Sequence, residues 1–189
     1  NQRVPMAGVP HHAVEGYVAR LIEKGFRVAI AEQVGEATGR GPMERRVERV
    51  VTAGTVTEPA MLDEKRPNYL ATVVIDDHRA GIAYAEISTG DFATAQLSDS
   101  NGSADDVVAL VRQELARLHP REVLIPQVGS WKERDPEAEA ERPEERLIGA
   151  LPAQFTPWAG YNFEESTARR TLMDHFDVRT LQGFGCDGK

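Results

Sequence analysis

Apolar positions follow a helical period near the start of the chain and an alternating period later, and the changes between them mark the elements. Val14, Tyr17, Val18, Leu21 and Ile22 recur three and four residues apart and line one face of a short helix. Gly25 stands where a left-handed C-terminal cap would end it. Residues 27–31 then read as a strand, and Val47, Val50 and Val51 mark a second one that stops near Gly54. Between them, residues 35–42 form a polar loop with three glycines. The pattern predicts a strand–helix–strand remnant of an α/β layer.

Residues 58–67 contain two prolines and a run of charges without periodicity, and read as a linker between domains. Three strands follow closely, at 69–75, 82–87 and 92–96, with turns at 76–79 and 88–91. Two hairpins in series make an antiparallel meander. Residues 104–118 then return to helical spacing, with Val107, Val108, Val111 and Leu115 facing inward and Ser103 as the N-cap. A fourth strand covers 122–125 and is stopped by Pro126. Residues 130–145, rich in Glu, Arg and Pro, read as a solvated loop, and a last helix covers 163–176, with Ser166 or Thr167 near its start. Three strands, a helix, then another strand and helix predict a ribonuclease-H-like α/β layout for the second half.

Composition adds three constraints. At 189 residues with 41% apolar side chains, the chain is long enough for one large domain or two small ones. No apolar run approaches the roughly 20 residues of a membrane span, and no signal peptide is visible at the start. With no initiator Met, the chain reads as a piece of something longer. Cys186 is the single cysteine, so no internal disulfide framework exists, which fits a reducing cytoplasm. The net charge of −8 argues against a general nucleic-acid binder, but it is unevenly spread. Residues 1–57 are mildly basic and residues 58–189 strongly acidic, as expected of two modules with different partners.

Several groupings could carry chemistry. Gly183-Phe184-Gly185-Cys186-Asp187-Gly188-Lys189 fits the letters of both the P-loop and the dinucleotide fingerprint. Either would need a helix to follow, and the P-loop needs Ser or Thr after Lys; a plain loop after Leu181 is the simpler reading. Asp76, Asp77, Glu86 and Asp91 raise the alternative of a metal-dependent ribonuclease-H-like nuclease. Yet the first strand, Tyr69-Leu70-Ala71-Thr72-Val73-Val74-Ile75, has no carboxylate where such nucleases place one. His11 and His12 are adjacent, so their side chains diverge and suit a shared metal poorly. At a helix N-terminus they are placed to face an anion such as a DNA phosphate, or to act as a solvated cap. Arg45, Arg46 and Arg49 group with Arg40, either as a solvated face or as contacts to a nucleic-acid backbone.

The order of short motifs carries a further implication. Val4 to Gln33, then Gly41-Pro42-Met43-Glu44-Arg45-Arg46, Val51-Thr52-Ala53-Gly54-Thr55-Val56, Asn68-Tyr69-Leu70-Ala71 and Ile87-Ser88-Thr89-Gly90-Asp91-Phe92 together resemble the bacterial MutS mismatch-repair family across most of the chain. The resemblance implies the later part of a mixed-sheet mismatch-recognition domain at 1–57, a linker at 58–67 and a ribonuclease-H-like connector at 68–189, cut before its final helix. It implies a role in recognising mispaired or unpaired bases in duplex DNA and in ATP-dependent recruitment of MutL. It also implies a homodimer, with ATP and magnesium used through a domain of the parent protein outside this stretch, and no catalysis, cofactor or metal here.

Met6, Gly8, His11, His12, Arg45, Arg46 and Arg49 become candidates for DNA contact, and Arg170 and Thr171, on the last helix, for docking MutL. A pure protein-docking module is the other alternative. The family's reading residues, a Phe-x-Glu motif, stand upstream of Val4. Phe163-Glu164-Glu165 and Phe26-Arg27-Val28 lie at the wrong places and do not qualify.

Overall fold

The apolar stripe near the start becomes α1 (Val14–Glu23), entered through one 3-10 turn at His11–Ala13, in a computed structural model that describes residues 5–35, 43–63, 66–76, 78–99, 103–127 and 143–186. Only part of the stripe reaches the core. Val18 and Ile22, one turn apart, are buried, whereas Tyr17 and Leu21 remain 42% and 41% exposed. The helix covers only a two-stranded ribbon, so one row of side chains suffices. The Arg20 guanidinium lies 4.7 Å from the centre of the Tyr17 ring and partly covers it. Gly25, at φ +81°, closes α1 with its amide on the Ile22 carbonyl at 2.8 Å, while the Phe26 amide reaches Leu21 at 3.0 Å. That pair of bonds is the Schellman cap, and the left-handed residue in it favours glycine.

Two strands follow the helix, β1 (Val28–Gln33) and β2 (Arg45–Val51), and pair antiparallel. The order is therefore helix–strand–strand, not the strand–helix–strand expected. Val51 and Val56 complete the small core with Val18 and Ile22, and Met61 and Leu62, within the stretch expected as a linker, pack on it.

The second half is one five-stranded sheet. Its strands are β3 (Tyr69–Asp76), β4 (Arg79–Glu86), β5 (Asp91–Ser98), β6 (Glu122–Gln127) and β7 (Gln154–Ala159), in the order β5-β4-β3-β6-β7. The first three form the expected meander; β6 and β7 run parallel to β3. The result is a mixed α/β sheet compatible with the layout expected, with one strand more than the periodicity revealed. β7 was hidden by Pro152 and Pro157, and among the described residues it is an edge strand that pairs only with β6.

Nor does Pro126 stop β6, which continues to Gln127. Pairing of β6 with β3 ends at Leu124, so Pro126 lies beyond the residues that need two neighbours.

Helix α2 (Ala104–Leu118) covers one face of the sheet with Val107, Val108, Val111 and Leu115, each at most 2% exposed. Burial of such side chains contributes about 1.5–3 kcal/mol apiece. Its N-terminus is fixed by Asp106, whose Oδ2 accepts the Ser103 amide at 2.7 Å and the Ser103 hydroxyl at 2.9 Å. Leu147 and Glu144 are also buried, in a 3-10 turn at Pro143–Leu147. The solvated loop expected over 130–145 thus ends in a core contact: Glu144 Oε1 accepts the Ile75 amide at 2.7 Å, just where β3 has left β6. Residues 130–142 of that loop lie outside the described residues. Helix α3 (Glu165–Phe176) starts two residues later than expected and buries none of its side chains.

The two halves meet at Glu122, the first residue of β6, which is 1% exposed. Its Oε2 accepts the Gly54 amide at 2.9 Å and its Oε1 the Thr156 hydroxyl at 2.6 Å. A Cβ at Gly54 would sit 2.8 Å from Leu70 Cδ1 and 3.0 Å from Glu122 Cβ, so the close approach requires glycine. Beside Glu122 in register stands Gln154, whose Nε2 donates to the Gly25 carbonyl at 3.0 Å. Replacing Glu122 by Leu should strand the Gly54 amide and the Thr156 hydroxyl without an acceptor. The expected loss is about 1–3 kcal/mol, read as a lower urea midpoint, with a smaller loss for Glu122→Gln. An unchanged midpoint for Glu122→Leu would contradict this role.

Candidate nucleic-acid interface

The N-terminal candidates lie together on the approach to α1. Met6 is 98% exposed, and Gly8, His11 and His12 are exposed as well. Pro10 precedes the first turn in extended conformation and supplies no side-chain cap. The amide of Ala13 returns to the Pro10 carbonyl at 2.9 Å, but among the described residues no side chain accepts from the amides before it. Open amides at a helical start favour an anion, and the 3-10 turn itself carries no acidic residue, although Glu15 stands in the first turn of α1 just beyond it. The adjacent histidines add donors there.

The arginines of β2 divide. Residues paired across the ribbon share a face, so Arg46 and Arg49, opposite Glu32 and Ile30, lie on the face carrying Val28 and Ile30. Arg45, opposite Gln33, lies on the other face with Val47 and Val50. The register shifts between Ile30 and Ala31, and Glu48 is the extra residue of that bulge. Strict alternation is therefore lost, and the spacing 45, 46, 49 does not give one cluster. Arg40 lies outside the described residues.

Arg49 is also engaged, in an ion pair with Glu58. Burial pushes the Glu58 carboxyl up, but its own amide, the Arg49 guanidinium and the Thr57 amide, at 3.3 Å, more than offset this and hold it below the usual carboxylate range. Arg45 and Arg46 have exposed side chains and stand at the end of the ribbon where β1 leads into β2. Sequence reasoning missed Glu58, because it lies in the apparent linker and its partner is nine residues away.

The other groupings separate in space. Asp76 pairs with Arg79 across the β3–β4 turn, while Glu86 and Asp91 lie at the other end of the hairpin, opposite Tyr69 and each other. Seven strand residues put those ends about 23 Å apart, too far to share metal ions. Asp77 lies outside the described residues. Glu86 instead organises its own turn: the Ser88 hydroxyl, at 2.7 and 2.8 Å, and then Thr89 hold its carboxyl below the usual range against the effect of burial. Among the described residues, no three His, Cys, Asp or Glu side chains come together as a metal set.

Gly183 to Gly185 form a turn in which Phe184 stacks on Phe176, with ring centres 5.1 Å apart. Asp187 to Lys189 lie outside the described residues. Arg170 and Thr171 are both exposed on α3.

Comparison with known families decides the relationship. The family model described as MutS domain I matches residues 1–60, and that for MutS domain II matches residues 68–189. This chain belongs to the MutS family. It is 40% identical over 186 residues to the DNA mismatch repair protein MutS of Symbiobacterium thermophilum, a match that covers 98% of the chain and 20% of that protein. The MutS of Trichormus variabilis is 43% identical over 192 residues, covering 98% and 21% respectively. That of Roseiflexus castenholzii is 36% identical over 233 residues, covering 97% and 21%. The chain thus spans about a fifth of the length of these MutS relatives. The exposed helix start and Arg45 and Arg46 belong to the stretch matching MutS domain I, and α3 to the stretch matching domain II.

The Arg49–Glu58 pair gives a pH test. The folded carboxyl is depressed, so its contribution is present above the ordinary carboxylate pKa and is lost as pH falls through the folded value. Glu58→Gln should lower stability at pH 7 by less than about 1 kcal/mol, because Arg49 is 44% exposed. The deficit should vanish in strong acid. Urea midpoints of both proteins at the two pH values check this, and a deficit that grows on acidification would contradict it.

Proposed function

We propose that this chain is the part of a DNA mismatch repair protein that supplies the scaffold of the mismatch-recognition domain and the connector beside it. The tandem match to MutS domains I and II is the observation that carries the reading. In this reading the helix start at Met6, Gly8, His11 and His12, with Arg45 and Arg46, touches the DNA backbone. Such contacts position a protein on duplex DNA without reading its sequence. Arg49 contributes less, since Glu58 already neutralises it.

Mismatch reading is assigned to a wedge that exploits the low cost of unstacking a mispair, and the residues for that wedge are not among those proposed here. Phe-x-Glu occurs in this chain only at Phe163-Glu164-Glu165, in the second half.

The connector is proposed to dock MutL through α3, where Arg170 and Thr171 face outward. The parent protein is proposed to act as a homodimer in the cytoplasm, recruiting MutL in an ATP-dependent way through magnesium and ATP bound in another domain. No helix among the described residues is long and apolar enough to cross a membrane.

Two measurements test the reading. Titration of matched and mismatched duplexes at low salt should show weak binding that falls steeply as salt is added and a mismatch preference of no more than a few-fold. A preference above about tenfold, or about 1.4 kcal/mol, would overturn the division of labour. Charge reversal at Arg170 should reduce crosslinking to MutL; unchanged crosslinking would place the docking surface elsewhere.

A further inference from the structure

One groove of the second half lies beside neither of the candidate surfaces above. It has a volume of about 870 Å3 and runs along the C-terminal end of α2, past the start of β3 and the loop before β7. Its floor is apolar and aromatic. Leu115 and Leu118 are buried beneath it, Leu151 borders it, and Tyr69 and Tyr84 meet edge to face with ring centres 5.3 Å apart.

Around this floor stand Arg66, Arg117, Arg121 and His119. Arg117 has an ordinary explanation, since a cation near a helix C-terminus is favoured by its dipole, and one ring nitrogen of His119 lies 3.2 Å from the Arg117 carbonyl oxygen. Arg117 is further engaged by Glu114 at 2.5 and 3.0 Å. That explanation does not extend to Arg66, which comes from the stretch before β3, or to Arg121, which lies past the end of α2 and just before β6. Arg66 is 81% exposed and only loosely approached by Asp63, at 3.9 Å.

Arg121 is held differently. Its amide donates to the Tyr69 carbonyl at 2.9 Å and its carbonyl accepts the Gln154 amide at 3.1 Å, so its backbone is fixed between two neighbouring strands. Its side chain is exposed and makes no ion pair among the described residues. A cation on so firm a base binds with little loss of backbone entropy. The half of the chain that carries it is otherwise strongly acidic.

We propose that this groove docks an acidic peptide segment of a partner protein, with one large apolar side chain seated on the tyrosine–leucine floor and flanking carboxylates on Arg66 and Arg121. An apolar centre with a charged rim is the usual anatomy of a protein interface, and Tyr and Arg are the residues enriched at its energetic centre. Arginines drawn from two separate stretches of chain suit several carboxylates along a peptide better than a single phosphate. The site is separate from α3 and from the proposed DNA contacts.

The test is fluorescence anisotropy with the whole 189-residue chain and a labelled probe peptide, Asp-Glu-Asp-Phe-Asp-Glu-Asp. Binding should weaken at least tenfold when the probe's Phe is replaced by Ser, and at least tenfold in the Arg66→Glu, Arg121→Glu double variant. Both arginines are exposed, so the variant should keep the thermal midpoint of the parent, which is measured alongside. Absence of binding at millimolar probe, equal binding by the double variant, or equal binding of the Ser probe would each overturn the proposal. So would displacement of the probe by a nucleoside monophosphate at the concentration where the peptide itself binds, because that would assign the cations to a phosphate.

Discussion

A buried carboxylate in the seam between the two halves sets their orientation. Glu122 takes one hydrogen bond from each side, from Gly54 in the first half and from Thr156 in its own sheet. Both donors are neutral, so the geometry is fixed by direction and close approach more than by charge pairing. The Gly54 amide can reach the carboxylate only because no Cβ stands in the way of Leu70. Gln154, beside Glu122 on the next strand, repeats the arrangement with the Gly25 carbonyl. Two glycines thus serve the same seam for different reasons: one for space, the other because it closes α1 in a left-handed conformation. Each unit also has its own small core, so the seam orients them without merging them.

This arrangement bears on function through position. The exposed start of α1 is attached to the seam through the cap at Gly25, one helix length away. Arg45 and Arg46 are attached through β2, which ends at Val51, close to Gly54. A DNA backbone held by these groups, as proposed, would feel any change in the seam, and so would the five-stranded sheet, whose β3 and β6 begin at Tyr69 and Glu122. The proposed partner surface shares this end of the sheet, since Arg121 adjoins Glu122. The stretch matching MutS domain I, the sheet of the stretch matching domain II and the groove are thus mechanically close, although their chemistry differs.

Much of the fold was legible in local pattern. α2 was legible because four apolar residues on one face meet a full sheet, and the meander because its strands alternate between short turns. What escaped was non-local. Glu122 and Glu144 look like solvated residues in sequence, yet each satisfies a backbone amide 68 or 69 positions away. β7 carries proline and pairs on one side only, so it lacks the signature of a buried strand. The stripe of α1 overstated its burial because periodicity records which residues share a face, not how wide a surface they meet.

The candidate site was legible in part: the helix start emerged from the turn and the family motifs, but a one-residue bulge redistributed the arginines and Glu58 neutralised one of them. Neither effect is visible in composition or spacing.

The claim that the seam holds the two halves in one orientation can be measured directly. Cys186, the exposed native thiol, would be replaced by Ser, and spin labels placed at Glu15 on α1 and Arg112 on α2, both exposed. Pulsed dipolar spectroscopy then gives the distribution of distances between the halves. A single narrow population that broadens when Glu122 is replaced by Leu is the predicted result. A broad distribution in the parent chain, or a narrow one that survives the loss of Glu122, would contradict it.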